Sequence, residues 1–263
     1  MKLAANVSLL YPGPLHDRLR LAAEHGFTAV EILDPYDTPA QTLAQHLDDL
    51  GIQLVLVNTP AGPAGERGLG CLPDHRHAFH DGLQQAFQVC EATGCRTVHV
   101  MAGIVPPAIA HDTARDTLLE NLHNALDAAA SRGITLTLEA LNRQDMPGYF
   151  YWHPAQVMDI VETLNHESLG VQFDLYHTQK ESLDLRDMLQ TVWPRLRHVQ
   201  FAGRHGRHEP DLLDENVRKC LLALKAQGYR GWIGCEYRPA GDALQGLGWR
   251  ADYHALLGDD GFI

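Results

Sequence analysis

Eight short apolar runs, each followed by a longer amphipathic segment, constrain this 263-residue chain more than any other feature. The runs are LAANVSLL (3–10), AVEIL (29–33), QLVLVNT (53–59), TVHVMAG (97–103), TLTLEAL (135–141), LGVQFDLYH (169–177), LRHVQFA (196–202) and WIGCEY (232–237). Short apolar runs bounded by turn residues read as strands buried on both faces. Segments near 14–25, 39–50, 76–93, 112–131, 154–164, 183–193 and 214–227 read as helices. Gly26, Gly51, Gly94, Gly133 and Gly228 stand where a left-handed C-cap is expected. A strand starts soon after each, as in a parallel βα unit. Eight such units without a linker or composition shift predict one α/β domain over 1–263, a closed (β/α)8 barrel with an abbreviated last helix in 240–263. A doubly wound open sheet would call for a glycine-rich phosphate loop after the first strand, where the chain reads YPGPLHD.

Composition narrows the partners. A formal net charge of −12 argues against a nucleic-acid backbone, while leaving room for a small anion held by a few arginines or a metal. The five cysteines are odd in number and contain no C-x-x-C pair, so reduced thiols in the cytoplasm fit better than a disulfide framework. The first residues, MKLAANVSLLYPGP, are too briefly apolar for a signal peptide, and no run approaches the roughly 20 apolar residues of a membrane span. A homo-oligomer is compatible with this class, and the sequence does not decide it.

In a barrel of this kind the chemistry lies at the C-terminal ends of the strands. Glu236 interrupts a buried-looking run there, and a carboxylate taken out of water needs a partner. Arg238, two residues on, is one counter-charge if the strand continues. The alternative comes from the other strand ends: Glu139, Asp174, Gln200 and Glu236 follow one another at spacings of 35, 26 and 36 residues, each about one βα unit. Three carboxylates brought together repel unless a cation or protons intervene. A divalent metal resolves the conflict, and the all-oxygen donor set favours Mg²⁺ or Mn²⁺ over zinc.

At these residues the chain resembles the hydroxypyruvate isomerase family, within the xylose-isomerase-like barrel superfamily that also includes 2-oxo-tetronate isomerases. AANVSLLY, GFTAVEILDPYD, NTPAGPAGERG, LEALNRQDMPGYF, FDLYHTQ, HVQFAGRHGRHEP and GCEYRPAGDALQGLGW carry the likeness over nearly the whole length. The resemblance implies that Glu139, Asp174, Gln200 and Glu236 bind one divalent metal and that Glu139 and Glu236 move the proton. It implies an aldose–ketose type isomerase of hydroxypyruvate or a similar short 2-oxo acid. A 2-oxo-tetronate isomerase, or a ketose 3-epimerase or dehydratase using the same metal, is the alternative. Which glutamate is base and which is acid stays open.

Further substrate contacts are expected from His177, Asp145, Arg207, Glu66 and Arg67. Each has a plainer reading: a structural histidine, a turn aspartate, an ion pair of Arg207 with Glu209, a solvated AGERG loop. Asn6 reads as orienting its neighbours, and His75, His77 and His80 as a solvated helix face. The family pattern is broken in three places: Ala140 stands for a usual Pro, Gly203 for a usual Asp, and DLLDE for a Gly-Thr-Gly turn. The last two lie in the strand 7 loop and leave the substrate undecided. A nuclease would need many histidines and a basic face, and a non-enzymatic barrel would keep its carboxylates for stability alone.

Overall fold

The strands of the computed structural model, which describes residues 1–63 and 65–258, are Lys2–Asn6 (β1), Ala29–Ile32 (β2), Gln53–Asn58 (β3), Thr97–His99 (β4), Thr135–Glu139 (β5), Leu169–Asp174 (β6), Leu196–Phe201 (β7) and Trp232–Cys235 (β8). Each pairs in parallel with its chain neighbours, and β1 closes on β8 in the register Lys2↔Trp232 to Ala5↔Cys235. This is the closed eight-stranded barrel expected from the apolar runs.

The helices are Val7–Leu10 (α1), Leu15–Glu24 (α2), Ala40–Leu50 (α3), Arg76–Thr93 (α4), His111–Ser131 (α5), Pro154–Leu164 (α6), Leu175–Lys180 (α7), Leu185–Val192 (α8), Glu215–Ala226 (α9), Ala243–Gly246 (α10) and Trp249–Leu257 (α11). The outer helices lay one apolar stripe on the sheet; in α9 it is Val217, Cys220, Leu221 and Leu224, the i, i+3, i+4, i+7 spacing. Gly51 and Gly94 show why the helices stop where they do. Their φ values of 65° and 74° place them in the left-handed region, where a side chain is costly. After β8 the helical cover is short, and Trp249 and Tyr253 of α11 compensate by packing on Phe201 with ring centroids 5.3 and 6.1 Å away.

Every run read as strand overshoots the strand's end, three of them by three residues or more. Residues 7–10 and 175–177 are helical, and β4 stops at His99. At β6 the cause is local: Asp174 turns its side chain back, and its Oδ1 accepts the Tyr176 N–H at 2.6 Å, capping α7. A strand-end carboxylate thereby starts a helix instead of prolonging a strand. All five cysteines are buried and free. No helix among the described residues is long and apolar enough to cross a membrane.

The barrel interior is polar on one level. Glu31 of β2, fully buried, reaches across to His198 and Gln200 of β7. Gly234 of β8 leaves the space for it, since a Cβ there would run into the Glu31 carboxylate. Gly234→Ala should therefore destabilise the fold by about 1–3 kcal/mol, the usual cost of overpacking. Gly241→Ala, where a Cβ meets nothing within 4 Å, should be neutral. Urea unfolding midpoints of the two variants check this.

Candidate active site

Glu139 ends β5, Asp174 ends β6, and Glu236 follows the last residue of β8. All three are buried, at 4%, 3% and 6% exposure. Desolvation is the dominant consequence. It pushes the Glu139 carboxyl well above the usual range, with Glu236 and Asp174 adding to the rise. Burial likewise raises Glu236 to about 8 and Asp174 to about 6, in both cases against the opposing pull of Arg207.

Arg207 is the counter-charge the protein itself supplies. Its Nη2 lies 2.7 Å from Glu236 Oε1 and 3.4 Å from Asp174 Oδ2, and its Nε donates to the Glu236 carbonyl at 3.2 Å. The guanidinium sits over the Tyr176 ring, 4.9 Å from the centroid. Burial works against its charge, but Glu236, Asp174 and Glu139 outweigh burial and raise its pKa. The turn that delivers it is strained: Gly206 and Arg207 have φ of 69° and 54°. A non-glycine residue in that region costs roughly 1–2 kcal/mol, which the ion pairs offset.

One plainer reading is corrected here. Arg207 pairs with Glu236 and Asp174, not with Glu209, whose oxygens accept the Ala240 N–H. Arg238 acts on Glu236 through its charge without an ion pair: β8 stops at Cys235 and the Arg238 side chain is exposed, yet it lines the same cavity and pulls the Glu236 carboxyl down.

His177 Nδ1 accepts the Asn142 backbone N–H at 3.0 Å, with the Asn142 side-chain nitrogen 2.8 Å away. A ring nitrogen that accepts a backbone N–H carries no proton, so the neutral ring holds its hydrogen on Nε2. Burial, then Arg207 and His99, push the His177 pKa well below its ordinary value, which keeps the ring neutral. Nε2–H faces the carboxylates, 3.7 Å from Asp174 Oδ2 and 3.9 Å from Glu139 Oε1. Glu139, Asp174 and His177 each bring a ligand atom within 4.8 Å of the other two, so this cluster could hold a metal ion. Glu139 Oε1 has no hydrogen-bond partner despite its burial, a cost that a cation would remove.

Gln200, a predicted metal ligand, lies at the level of Asp174 in the sheet register. Its Oε1 accepts from Gln172 Nε2 at 2.7 Å, and its Nε2 donates to Glu31 at 2.8 Å. One lone pair of that oxygen stays available. Asp145 reaches the same cavity, accepting from Tyr176 Oη at 2.5 Å and from Asn142 Nδ2 at 2.9 Å, and Arg67 lines it too. The structure separates Glu66 from Arg67. Glu66 pairs with His75 at 3.1 Å and lines a different cavity, so it is not brought to the carboxylates. His77 is exposed, whereas His80 is half-buried. Asn6 donates to Glu31 at 3.1 Å, in line with an orienting role.

Several residues escaped the sequence reading. Glu31 breaks the AVEIL run as Glu236 breaks WIGCEY, and the same rule would have found it. Asn142, which sets the His177 tautomer, and Gln172, which links Glu139 to Gln200, carry no such signal. Gly203 marks the departure in the strand 7 loop: a Cβ there would come within 2.5 Å of the Glu209 carbonyl oxygen, so the usual Asp does not fit this loop path.

A family model described as xylose isomerase-like TIM barrel matches residues 19–253. A 2-oxo-tetronate isomerase of Cupriavidus necator is 39% identical over 96% of this chain and 98% of its own length. The hydroxypyruvate isomerase of Escherichia coli K12 is 30% identical over 96% and 99%. A crystal structure of a Brucella melitensis protein described as AP endonuclease, family 2, superposes with a TM-score of 0.91 at 39% identity, covering 96% of this chain and 98% of that one.

The raised carboxyls give a signed prediction. In the unfolded chain these groups titrate near pH 4, so between about pH 7 and pH 8, above the range in which the buried His99 and His177 would take up protons on unfolding, the folded, chelator-treated protein holds more protons than the unfolded one. Its stability should fall as pH rises through that window. Glu236→Gln should flatten the fall. Thermal melts at pH 7, 7.5 and 8 check it, and a level or rising wild-type Tm contradicts it.

Proposed function

The chain belongs to the xylose isomerase-like TIM barrel family, and on that premise we propose that it is a metal-dependent isomerase of short 2-oxo acids, interconverting hydroxypyruvate and tartronate semialdehyde. The observation that carries this reading is the meeting of Glu139 and Glu236 with the neutral His177 and the cationic Arg207 around one cavity of about 560 Å³. That volume suits a small ligand.

Glu139 and Asp174 fit a divalent ion, with an unpartnered Glu139 oxygen already at the site, and Gln200 and Glu236 would complete its donor set. Bound there, a Mg²⁺ or Mn²⁺ ion would supply polarisation of the substrate carbonyl and hydroxyl oxygens. His177 Nε2–H is aimed as a donor, which suits a substrate oxygen better than a metal. One of Glu139 and Glu236 takes the proton from C3 of hydroxypyruvate, and the other returns a proton to C2 as the hydroxyl proton passes from O3 to O2. Arg207 Nη1 makes no hydrogen bond among the described residues and is placed to take the substrate carboxylate. Asp145 and Arg67 stand at the cavity wall for the remaining polar groups.

A 2-oxo-tetronate as substrate is the second reading. It is favoured by the higher identity to the Cupriavidus enzyme, 39% against 30% for the Escherichia enzyme. A nuclease has less support, because a chain of net charge −12 repels the phosphate backbone it would have to grip.

The test is an assay of metal-depleted protein with hydroxypyruvate, 2-oxo-tetronates and ketohexoses, with and without Mg²⁺ or Mn²⁺, in deuterated water. Deuterium should enter beside the carbonyl of a 2-oxo acid only with metal. Glu139→Gln and Glu236→Gln should each lower kcat by about 10²- to 10⁴-fold. Exchange with no substrate would sink the proposal, and exchange with ketohexoses alone would make the protein an epimerase.

A further inference from the structure

Beneath the carboxylates a chain of hydrogen bonds has only one workable direction. Glu31 Oε2 receives Gln200 Nε2 at 2.8 Å and Asn6 Nδ2 at 3.1 Å, and Glu31 Oε1 is paired with His198 Nε2. An amide facing a carboxylate oxygen must present its NH₂, since its own oxygen would be repelled. Glu31 therefore dictates that the oxygen of Gln200 points the other way. That oxygen meets Gln172 Nε2 at 2.7 Å, so Gln172 is also set: its Nε2 donates to Glu139 Oε2 at 2.9 Å while its Oε1 accepts from Thr137 Oγ1 at 3.2 Å. With Oε2 engaged, Glu139 is left with Oε1 as its free oxygen.

We propose that Glu31 is a positioning residue that acts through Gln200 and Gln172, setting which atom of Gln200 and which oxygen of Glu139 are offered to a divalent cation. The inference rests on the metal reading above. Glu31 lies on β2, on the far side of the barrel from β5 to β7, and touches no substrate-facing atom. Its part is to remove the flip freedom of two buried amides. Left free, each amide would spend part of its time presenting NH₂ groups to the cation, and outer partners of this kind typically matter by about 10- to 100-fold in metal affinity.

The experiment measures Mn²⁺ affinity by titration calorimetry and by the electron paramagnetic resonance of free Mn²⁺, with folding followed by circular dichroism. Glu31→Gln should weaken binding by about tenfold or more, because a glutamine at 31 can accept or donate and Gln200 is released. The double variant Glu31→Gln with Gln200→Glu should restore affinity to within a few-fold. It keeps a donor at 31 facing an acceptor at 200, its carboxylate offers oxygen in either flip state, and Asn6 Oδ1, which has no partner now, can take the second amide hydrogen. Asn6→Ala removes another partner of Glu31 but leaves its carboxylate facing Gln200, and should lower affinity several-fold less than Glu31→Gln. A purely structural role for Glu31 would instead lower affinity as far in Asn6→Ala as in Glu31→Gln.

Wild-type affinity in Glu31→Gln overturns the inference, as does a double variant that fails to fold or to bind. Should Glu31→Gln alone not fold, the double variant decides. Absence of Mn²⁺ binding by the wild type would instead defeat the metal reading itself, so the two failures are distinguishable.

Discussion

Four carboxylates, Glu31, Glu139, Asp174 and Glu236, are buried inside one parallel barrel, and their mutual repulsion must be relieved for the barrel to close. Relief comes at two levels. Above, Arg207 is inserted between Asp174 and Glu236 on a turn held in a left-handed conformation. Below, Glu31 is surrounded by donors from Asn6, Gln200 and His198, with Gly234 giving it room. Between the two, Glu139 keeps one oxygen without a partner. A protein optimised for stability alone would not leave that atom bare, since an unsatisfied buried acceptor costs about 1–3 kcal/mol.

The same economy explains the hydrogen-bonding of the neutral groups. Asn142 gives its backbone and side-chain nitrogens to His177 while its oxygen holds the turn that carries Asp145. One buried amide thus sets a tautomer and a loop together. Gln172 does the corresponding work between Glu139 and Gln200. A change of flip or tautomer at any of these side chains would reverse the polarity it shows to its hydrogen-bonded neighbours. Uniqueness of hydrogen-bond direction, more than binding area, is what this site is built from.

Strand order and helix positions could be read from the chain because parallel strands buried on both faces are continuously apolar and helix ends carry glycine. Glu139, Asp174 and Glu236 stood out as charges at the ends of such runs, repeated at one unit spacing. Glu31 offered the same signal in AVEIL but lay outside the spacing of strands 5 to 8. Arg207 was visible as a cation near the site, yet its partner was not. Its placement depends on the path of the strand 7 loop over Gly203, and a loop path follows from packing against neighbours, not from local periodicity.

The sequence by itself determined the closed eight-stranded barrel and the strand ends at which the acidic residues collect, because both follow from the period of apolar burial along the chain. Only the tertiary structure decided which cation faces Glu236, which nitrogen of His177 carries its proton, and that Glu31 lies under the carboxylates from the opposite wall. Those facts depend on distances between residues up to 169 positions apart. Electrostatic and hydrogen-bond energies are set by such distances, and no spacing along the chain encodes them.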